Sequence, residues 1–314
     1  MSKTIAVLNE MSRGTLEGRL PDWIEPRYFT SAEELNELAP HAEIGWFDSF
    51  LLGSIEEPVR RAEKLKWLNT LAAGVDPFPL ELLRDRGVAF TNGAGLNAIT
   101  IAEYAVMGML TIAKGYREVV RAQDRREWLT DAPGKQELYG SRALIVGAGG
   151  IGGRVAELLA PFEVEVTTVR RNPAPGVLLP DQWRARLGDF DWVIIAVPST
   201  PDTERMIGAA ELAAMKPGVG ILNFARGAVI DQDALVAALN DCRIGGAFLD
   251  VTDPEPLPSD HPLWSFDNVH ITMHLSGRSQ NTLVRRAAER FLDNLGRFER
   301  GEPLISVVDL SLGY

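Results

Sequence analysis

The chain has 314 residues, of which 46% are hydrophobic and 24% charged, as in ordinary globular proteins, and its length predicts two domains. A net charge of −11 argues against a nucleic-acid or anionic-membrane partner. The single cysteine, Cys242, excludes an internal disulfide and a cysteine metal cluster. No metal site is predicted. No stretch approaches the length of a transmembrane helix, and the start carries no signal-peptide pattern, which together predict a cytoplasmic protein.

The first 95 or so residues have the pattern of a small α/β domain. Strands are predicted at 4–8, 44–47, 65–71 and 88–91. Helices are predicted at 79–86 and from a capping box at Ser31 to Leu38. Strands that alternate with helices indicate a parallel sheet covered on both faces.

The second half predicts a larger doubly wound sheet. One long helix, 99–120, is expected to lead into it. Strands are predicted at 143–146, 164–169, 192–197, 220–224, 246–250 and 269–273, with helices at 209–215 and 231–239. A last helix, 280–300, is expected to return to the first domain. The predicted domains are therefore 1–98 with 281–314, and 99–280.

The segment ALIVGAGGIGG, 143–153, runs from a strand through a glycine-rich turn into a helix. Gly147 permits the sharp turn, Gly149 lets a pyrophosphate approach the backbone, and Gly152 lets the helix pack close to its strand. The helix N-terminus offers amides to the phosphates. This pattern predicts dinucleotide binding; the alternative is a purely structural turn.

Three polar residues follow neighbouring predicted strands: Arg226, Glu255 and His274. Individually they could be a surface ion pair, a solvated acid and a strand-end histidine. Together on one edge of the sheet they suit hydride exchange at a carbonyl. Arginine binds a carboxylate by paired hydrogen bonds, histidine transfers the proton, and a glutamate on the other ring nitrogen favours the imidazolium and hence reduction.

The chain resembles the D-isomer-specific 2-hydroxyacid dehydrogenase family over nearly its whole length. The matching stretches include LYGSRALIVGAGGIG (138–152), MKPGVGILNFARGAVID (215–231), GAFLDVTDPEPLP (246–258) and NVHITMHLSG (268–277). The resemblance implies a Rossmann dinucleotide-binding domain beside a smaller flavodoxin-like substrate domain. It also implies a small 2-oxo or 2-hydroxy acid substrate and a homodimer that packs through 99–120.

The resemblance also implies the roles of individual residues. The catalytic residues would be Arg226, Glu255 and His274, and the substrate contacts Arg226 with backbone at Ala73 and Gly74. Cofactor contacts are implied at Gly147, Gly149, Gly150, Ile151, Gly152, Val197, Pro198, Phe224, Ala225 and Asp250. The stretch 97–107 resembles formate dehydrogenases, which places Asn97 toward the substrate, but Glu255 stands where those enzymes carry glutamine. Met273 replaces the family's usual proline, which predicts a shifted histidine loop, and Thr252 stands where an aromatic residue is common.

The cofactor is expected to be NADP, with NAD as the alternative. At the end of the second Rossmann strand, Arg170 and Arg171 stand where NAD enzymes carry an acid, and two arginines suit a 2′-phosphate. The closest functional type is a glyoxylate or hydroxypyruvate reductase. The alternative function is a dinucleotide-sensing regulatory protein that resembles the family's transcriptional corepressors. Candidates for the substrate side-chain pocket are Asn9, Met11, Trp46 and Phe47.

Overall fold

A computed structural model describes residues 3–48, 55–171, 173–278 and 282–313. The chain divides into two compact units, Met1–Asn97 with Ser279–Tyr314, and Ala98–Arg278. The first unit contains β1 (Thr4–Asn9), α1 (Arg13–Leu16), β2 (Ile24–Phe29), α2 (Ala32–Leu38), β3 (Ile44–Trp46), α3 (Glu56–Arg61), β4 (Trp67–Asn69), α4 (Leu80–Asp85) and β5 (Ala89–Thr91).

The second unit begins with two helices and continues into a sheet with its covering helices. Its elements are α5 (Ala98–Lys114), α6 (Tyr116–Arg125), β6 (Arg142–Val146), α7 (Gly150–Leu159), β7 (Glu165–Val169), β8 (Val177–Leu178), β9 (Trp192–Ile195), α8 (Ala209–Ala214), β10 (Val219–Asn223), α9 (Gln232–Asn240), β11 (Ile244–Leu249) and β12 (Val269–Ile271). The chain then returns to the first unit with α10 (Leu283–Arg300).

Both sheets are parallel throughout, which confirms the predicted fold class. The five-stranded sheet has the order β2-β1-β3-β4-β5, the flavodoxin-like arrangement. The seven-stranded sheet has the order β12-β11-β10-β9-β6-β7-β8, the Rossmann arrangement with its reversal between β6 and β9. Every residue of β9 and β10 is buried, as expected for strands covered on both faces.

The core of the second unit lies on both faces of its sheet because side chains alternate along each strand. In β6, Leu144 and Val146 belong to one apolar cluster, whereas Ala143 and Ile145 belong to the other.

The core of the first unit includes the C-terminal helix α10. The Phe291 ring centroid lies 5.0 Å from that of Trp46 and 4.9 Å from that of Trp67. Trp46 and Phe47 are fully buried, so neither lines a pocket for the substrate side chain as proposed from the sequence. Asn9 is also buried, and its side chain accepts a hydrogen bond from the Ser12 amide at 3.0 Å. Met11, the fourth candidate, is 48% exposed.

The prediction of a single long helix over 99–120 is wrong, because two helices, α5 and α6, occupy this stretch. Gly115 adopts a left-handed conformation with φ 57°, and the chain turns there between α5 and α6, which meet at 68°. The Cβ of any other residue at Gly115 would lie 2.9 Å from the Gly134 amide nitrogen, so a packed loop also favours glycine. No single helix among the described residues has the length and apolarity of a membrane span; the bent pair α5–α6 reaches that threshold only when joined.

Several short elements escaped the sequence prediction. The strand β2 contains Pro26, which is tolerated because β2 lies at the edge of its sheet. The helices α1 and α3 and the two-residue strand β8 were also missed. The predicted cap of α2 is present: Ser31 Oγ accepts from the Glu34 amide at 3.2 Å. The Glu34 carboxylate accepts from the amide and the hydroxyl of Thr30, each at 2.7 Å.

Candidate active site

The glycine-rich turn lies between β6 and α7 at the point where the strand order reverses. Gly147 has φ 104°, and a Cβ there would lie 2.4 Å from the Ala196 carbonyl oxygen at the end of β9. A Cβ at Gly152 would lie 2.0 Å from the Gly147 carbonyl oxygen. Both positions therefore require glycine for the turn to close against the neighbouring strand and helix.

The N-terminus of α7 faces open space. Gly149 is its N-cap residue, and no atom lies within 4 Å of the position that a Gly149 Cβ would occupy. Gly149 and Gly150 are exposed, and Ile151 is half-buried. The amides of the first helical turn have no intrahelical acceptor, so the turn presents donors and a positive dipole end to an anion.

The loops after β9 and β10 form the next part of the same edge. Val197 is half-buried and Pro198 exposed, and the Pro198 carbonyl accepts from Thr203 Oγ1 at 2.8 Å. Phe224 and Ala225 are each 5% exposed. The edge therefore has an apolar floor after β10 and a more open loop after β9.

Asn223 fixes the turn that carries Arg226. Its Nδ2 donates to the Arg226 carbonyl at 2.9 Å, and its Oδ1 accepts from the Ala225 amide at 3.0 Å. Arg226 is half-buried and donates from Nη1 to the Ala225 carbonyl at 2.9 Å. Asn223 was not among the predicted site residues, because no sequence pattern distinguishes a structural asparagine at the end of a strand.

Glu255 and His274 form a direct hydrogen-bonded pair. His274 Nδ1 lies 2.8 Å from Glu255 Oε2, and the two side chains are 47% and 38% exposed. The other glutamate oxygen, Oε1, accepts from the Thr252 amide at 3.2 Å. Because Nδ1 faces the carboxylate, the ring is oriented with Nε2 as the nitrogen left to exchange a proton.

Asp250 holds the turn that carries His274. Its Oδ1 accepts from Thr272 Oγ1 at 2.7 Å and from the Ser276 amide at 3.1 Å, and its Oδ2 accepts from Ser276 Oγ. The Asp250 carbonyl accepts from the His274 amide at 2.6 Å. Asp250 is 4% exposed, so this buried carboxylate ties both sides of the turn to the end of β11.

Met273, which stands where the family usually has proline, adopts a backbone conformation that proline cannot adopt. Met273 and His274 both adopt left-handed conformations, with φ 52° and 56°. Proline is held near φ −65° and cannot adopt this conformation. The histidine turn of this chain therefore uses a backbone path that the family's usual proline would exclude.

Gln232 braces the loop that carries Glu255. Its Nε2 donates to the Asp253 carbonyl at 2.7 Å, and its Oε1 accepts from the Asp253 amide at 3.1 Å. On the other side, a Cβ at Gly227 would lie 2.0 Å from the Thr252 carbonyl oxygen, so the loop packs directly against the Arg226 turn. No sequence pattern marks Gln232 as a site residue, because its partner, Asp253, lies in another loop.

Among the other histidines, His270 is unsuited to proton transfer at neutral pH. Burial, with the nearby Arg117 and Arg121, lowers the pKa of His270 to about 4. It is therefore neutral at pH 7, on the half-buried surface of β12.

Arg170 and Arg171 follow β7 and are both exposed. The Arg170 amide donates to the Leu178 carbonyl at 3.1 Å, so the start of this turn is fixed by β8. The adjacent Asn172 lies outside the described residues. The described part of the chain contains no group of three or more histidine, cysteine or acidic residues placed to hold a metal ion.

Two of the residues predicted to contact the substrate from the first unit, Ala73 and Gly74, lie in the loop after β4. Ala73 is exposed and Gly74 half-buried. Asn97, at the end of this unit's first segment, is also half-buried.

The glycine turn generates a prediction with a control in the same helix. Gly152→Ala should lower the free energy of unfolding by about 1–3 kcal/mol, because its Cβ would overlap a backbone oxygen, and should weaken NADPH binding. Gly153→Ala should leave NADPH binding unchanged, and should keep the free energy of unfolding or raise it by up to about 1 kcal/mol, because its Cβ meets nothing within 4 Å. Urea unfolding and fluorescence titration measure the two effects. Equal NADPH affinity in both variants would contradict the role given to Gly152.

A protein-family model matches most of the second unit. Residues 106–276 match the model described as D-isomer specific 2-hydroxyacid dehydrogenase, NAD binding domain. This match covers more than half of the chain and includes the glycine turn and all three candidate catalytic residues.

Curated relatives include several dehydrogenases and reductases. A human glyoxylate reductase/hydroxypyruvate reductase is 32% identical, over 78% of this chain and 77% of its own length. An uncharacterised protein from Corynebacterium melassecola is 33% identical, over 84% and 89%. A D-3-phosphoglycerate dehydrogenase from Methanocaldococcus jannaschii is 31% identical over 80% of this chain, but the match spans only 49% of that protein.

Solved structures share the fold over the whole chain. A D-isomer specific 2-hydroxyacid dehydrogenase family protein from Aeromonas salmonicida has a TM-score of 0.84 and 27% identity, covering 99% of this chain and 100% of that one. A D-isomer specific 2-hydroxyacid dehydrogenase from Xanthobacter autotrophicus, solved with NADPH and MES, has a TM-score of 0.81 and 26% identity, covering 100% of both chains.

Proposed function

Since the chain belongs to the D-isomer-specific 2-hydroxyacid dehydrogenase family, and is thus an NAD(P)-dependent oxidoreductase, we propose that it reduces a small 2-oxo acid to the D-2-hydroxy acid with NADPH. The observation that carries the proposal is the 2.8 Å pair of His274 and Glu255, which stands on the loops after β12 and β11. Arg226 follows β10, the next strand of the sheet. Parallel strands bring these three loops to one edge.

Each member of this trio has a distinct task. Arg226 binds the substrate carboxylate and polarises the neighbouring carbonyl by hydrogen bonding. His274 donates the proton to the carbonyl oxygen from Nε2, while Glu255 at Nδ1 stabilises the imidazolium and fixes the ring. The backbone amides of Ala73 and Gly74 also donate hydrogen bonds to the substrate carboxylate in this proposal.

The glycine turn fits a dinucleotide. The open space at Gly149 and the exposed N-terminus of α7 accommodate a pyrophosphate, with Gly147 and Gly152 shaping the turn. The remaining contacts are proposed at Gly150, Ile151, Val197, Pro198, Phe224, Ala225 and Asp250. When bound, the nicotinamide supplies the hydride.

NADP is the proposed form of the cofactor. Arg170 and Arg171 occupy the turn after the second Rossmann strand, where an acid would repel a 2′-phosphate. The similar structure from Xanthobacter autotrophicus holds NADPH.

Glyoxylate and hydroxypyruvate are the proposed substrates, in keeping with the human relative. Asn97 is proposed to face the substrate, and the cytoplasmic location remains a prediction.

The general acid is tested by His274→Ala. Turnover with glyoxylate and NADPH should fall by about 10²–10⁴, because proton donation to the carbonyl is lost, while NADPH affinity stays the same. His41→Ala, at an exposed histidine of the first unit, is the control and should have wild-type kinetics. Unchanged turnover in His274→Ala would remove this residue from the mechanism.

Cofactor selection is tested by the double variant Arg170→Ser/Arg171→Ser. NADPH affinity should fall by about ten- to a hundredfold, the effect of losing a hydrogen bond to a charged group, whereas NADH affinity should not fall. The double variant Arg184→Ser/Arg186→Ser removes the same charge from arginines paired with Glu211 and Asp189. An equal loss for both cofactors, or the same loss in the control, would reject the 2′-phosphate site.

We also propose that the protein forms a homodimer through the face of the second unit around α5. A groove of about 600 Å³ there is lined mostly by apolar side chains, including Met107, Tyr116 and Phe162. Trp128, on the loop after α6, is 94% exposed. A second copy of the chain would cover this surface, as the family resemblance implies.

Light scattering tests the dimer. The wild-type mass should be twice the 34.4 kDa of one chain. Met107→Glu should shift the mass toward the monomer, because a charge would be buried in the interface, whereas Met11→Glu, at a similarly exposed methionine of the first unit, should not. A monomeric wild-type protein would contradict the proposal.

A further inference from the structure

The loop 70–74, which follows β4, contains two consecutive backbone amides that donate no hydrogen bond to another described residue. Among the hydrogen bonds between described residues, the amides of Ala73 and Gly74 donate none, whereas those of Leu71 and Ala72 each donate one. Ala73 is exposed. Consecutive unpaired amides in a loop are suited to receive an anion.

A buried carboxylate fixes one side of this loop. Asp48, which comes shortly after β3, is 5% exposed. It accepts hydrogen bonds from the Leu71 amide at 2.5 Å, from Trp46 Nε1 at 2.5 Å and from Thr70 Oγ1. The Thr70 hydroxyl in turn accepts from the Ala72 amide at 3.0 Å. Asp48 thus holds three consecutive loop residues directly or through one hydroxyl.

The segment after β5 fixes the other side of the loop. The Gly93 amide donates to the Ala72 carbonyl at 2.8 Å, and Asn92 Nδ2 donates to the Ala73 carbonyl at 2.8 Å. A Cβ at Gly93 would lie 1.8 Å from the Leu71 carbonyl oxygen, so the two segments are in direct contact. The loop carbonyls therefore point toward this segment.

Asp48 is an unfavourable choice if packing alone were required. Burial raises the pKa of Asp48 to about 6, although hydrogen bonds from Thr70, Leu71 and Trp46 oppose this shift. Removing a carboxylate from water costs free energy, whereas burying an apolar side chain of similar size does not. What an apolar residue could not do is accept three hydrogen bonds from the chain that leads to Ala73.

We propose that Asp48 is a positioning residue for substrate binding, which acts through Thr70 and Leu71 to aim the Ala73 and Gly74 amides at the carboxylate of the substrate. This inference rests on the proposed function, because it takes the 2-oxo acid as the anion. Asp48 itself touches neither the substrate nor the reacting atoms. It fixes the loop whose amides do.

Steady-state kinetics with glyoxylate at saturating NADPH provide the first test. Asp48→Asn keeps the side-chain volume but places an amide group against donors, so the loop should shift. KM for glyoxylate should rise by about ten- to a hundredfold, the effect of losing a hydrogen bond to a charged group, with a smaller change in kcat. NADPH affinity should be unchanged, because the proposed cofactor contacts belong to the second unit.

Two threonine variants separate positioning from general stability. Thr70→Val removes the hydroxyl between Asp48 and Ala72 and should also raise KM, and the double variant with Asp48→Asn should be less than additive. Thr91→Val removes an equally buried hydroxyl, which contacts Trp67 and Asn69 rather than the loop, and should leave KM unchanged. Equal effects of the two threonine variants, or a KM that is unchanged or lower in Asp48→Asn, would overturn the proposal.

Hydrogen–deuterium exchange of the peptide covering 70–76 gives a result that does not depend on turnover. Glyoxylate at a concentration near its wild-type KM, together with NADP, should protect this peptide in the wild-type protein but much less in Asp48→Asn. A wild-type protein that shows this protection without turnover would contradict the proposed reaction but support the positioning role. Absence of protection in the wild-type protein would overturn the positioning role.

Discussion

The hydrogen bond between Glu255 and His274 is the contact on which the proposed chemistry of this chain depends, and Asp250 holds the turn that carries His274. Met273 and His274 occupy left-handed conformations, which cost about 1–2 kcal/mol per residue. The Asp250 carboxylate and carbonyl offset this cost by binding Thr272, Ser276 and the His274 amide. The imidazole therefore meets Glu255 at 2.8 Å on a turn that is fixed from the buried end of β11.

Much of this arrangement could be predicted because it follows from strand order. A parallel sheet brings the residues after its strands to one edge, so Arg226, Glu255 and His274 could be placed together without any known contact distance. The glycine turn was equally predictable. The positive φ at Gly147 favours glycine, and the close contacts at Gly147 and Gly152 leave no room for a Cβ. Because only glycine meets these requirements, they are visible in the sequence as glycines at fixed spacing.

The parts that could not be predicted depend on contacts between distant segments. Gly115 within an apolar helical pattern gave no sign that the loop at Gly134 would pack against it and end α5 there. Trp46 follows the pattern of a pocket residue as well as that of a core residue, and only its contact with Phe291 decides between them. Asn223, Gln232 and Asp48 are polar residues whose partners lie in other loops, so nothing local marked them.

The proposed reaction is tested most directly by following the oxidation of NADPH and NADH by absorbance, with glyoxylate, hydroxypyruvate, pyruvate and phenylpyruvate as candidate acceptors. We expect turnover with at least one of these 2-oxo acids and a preference for NADPH. Turnover with NADH preferred would preserve the trio of Arg226, Glu255 and His274 but reject the role of Arg170 and Arg171. A protein that binds NADPH but reduces none of these acids would contradict the reductase assignment and favour a dinucleotide-sensing regulatory protein.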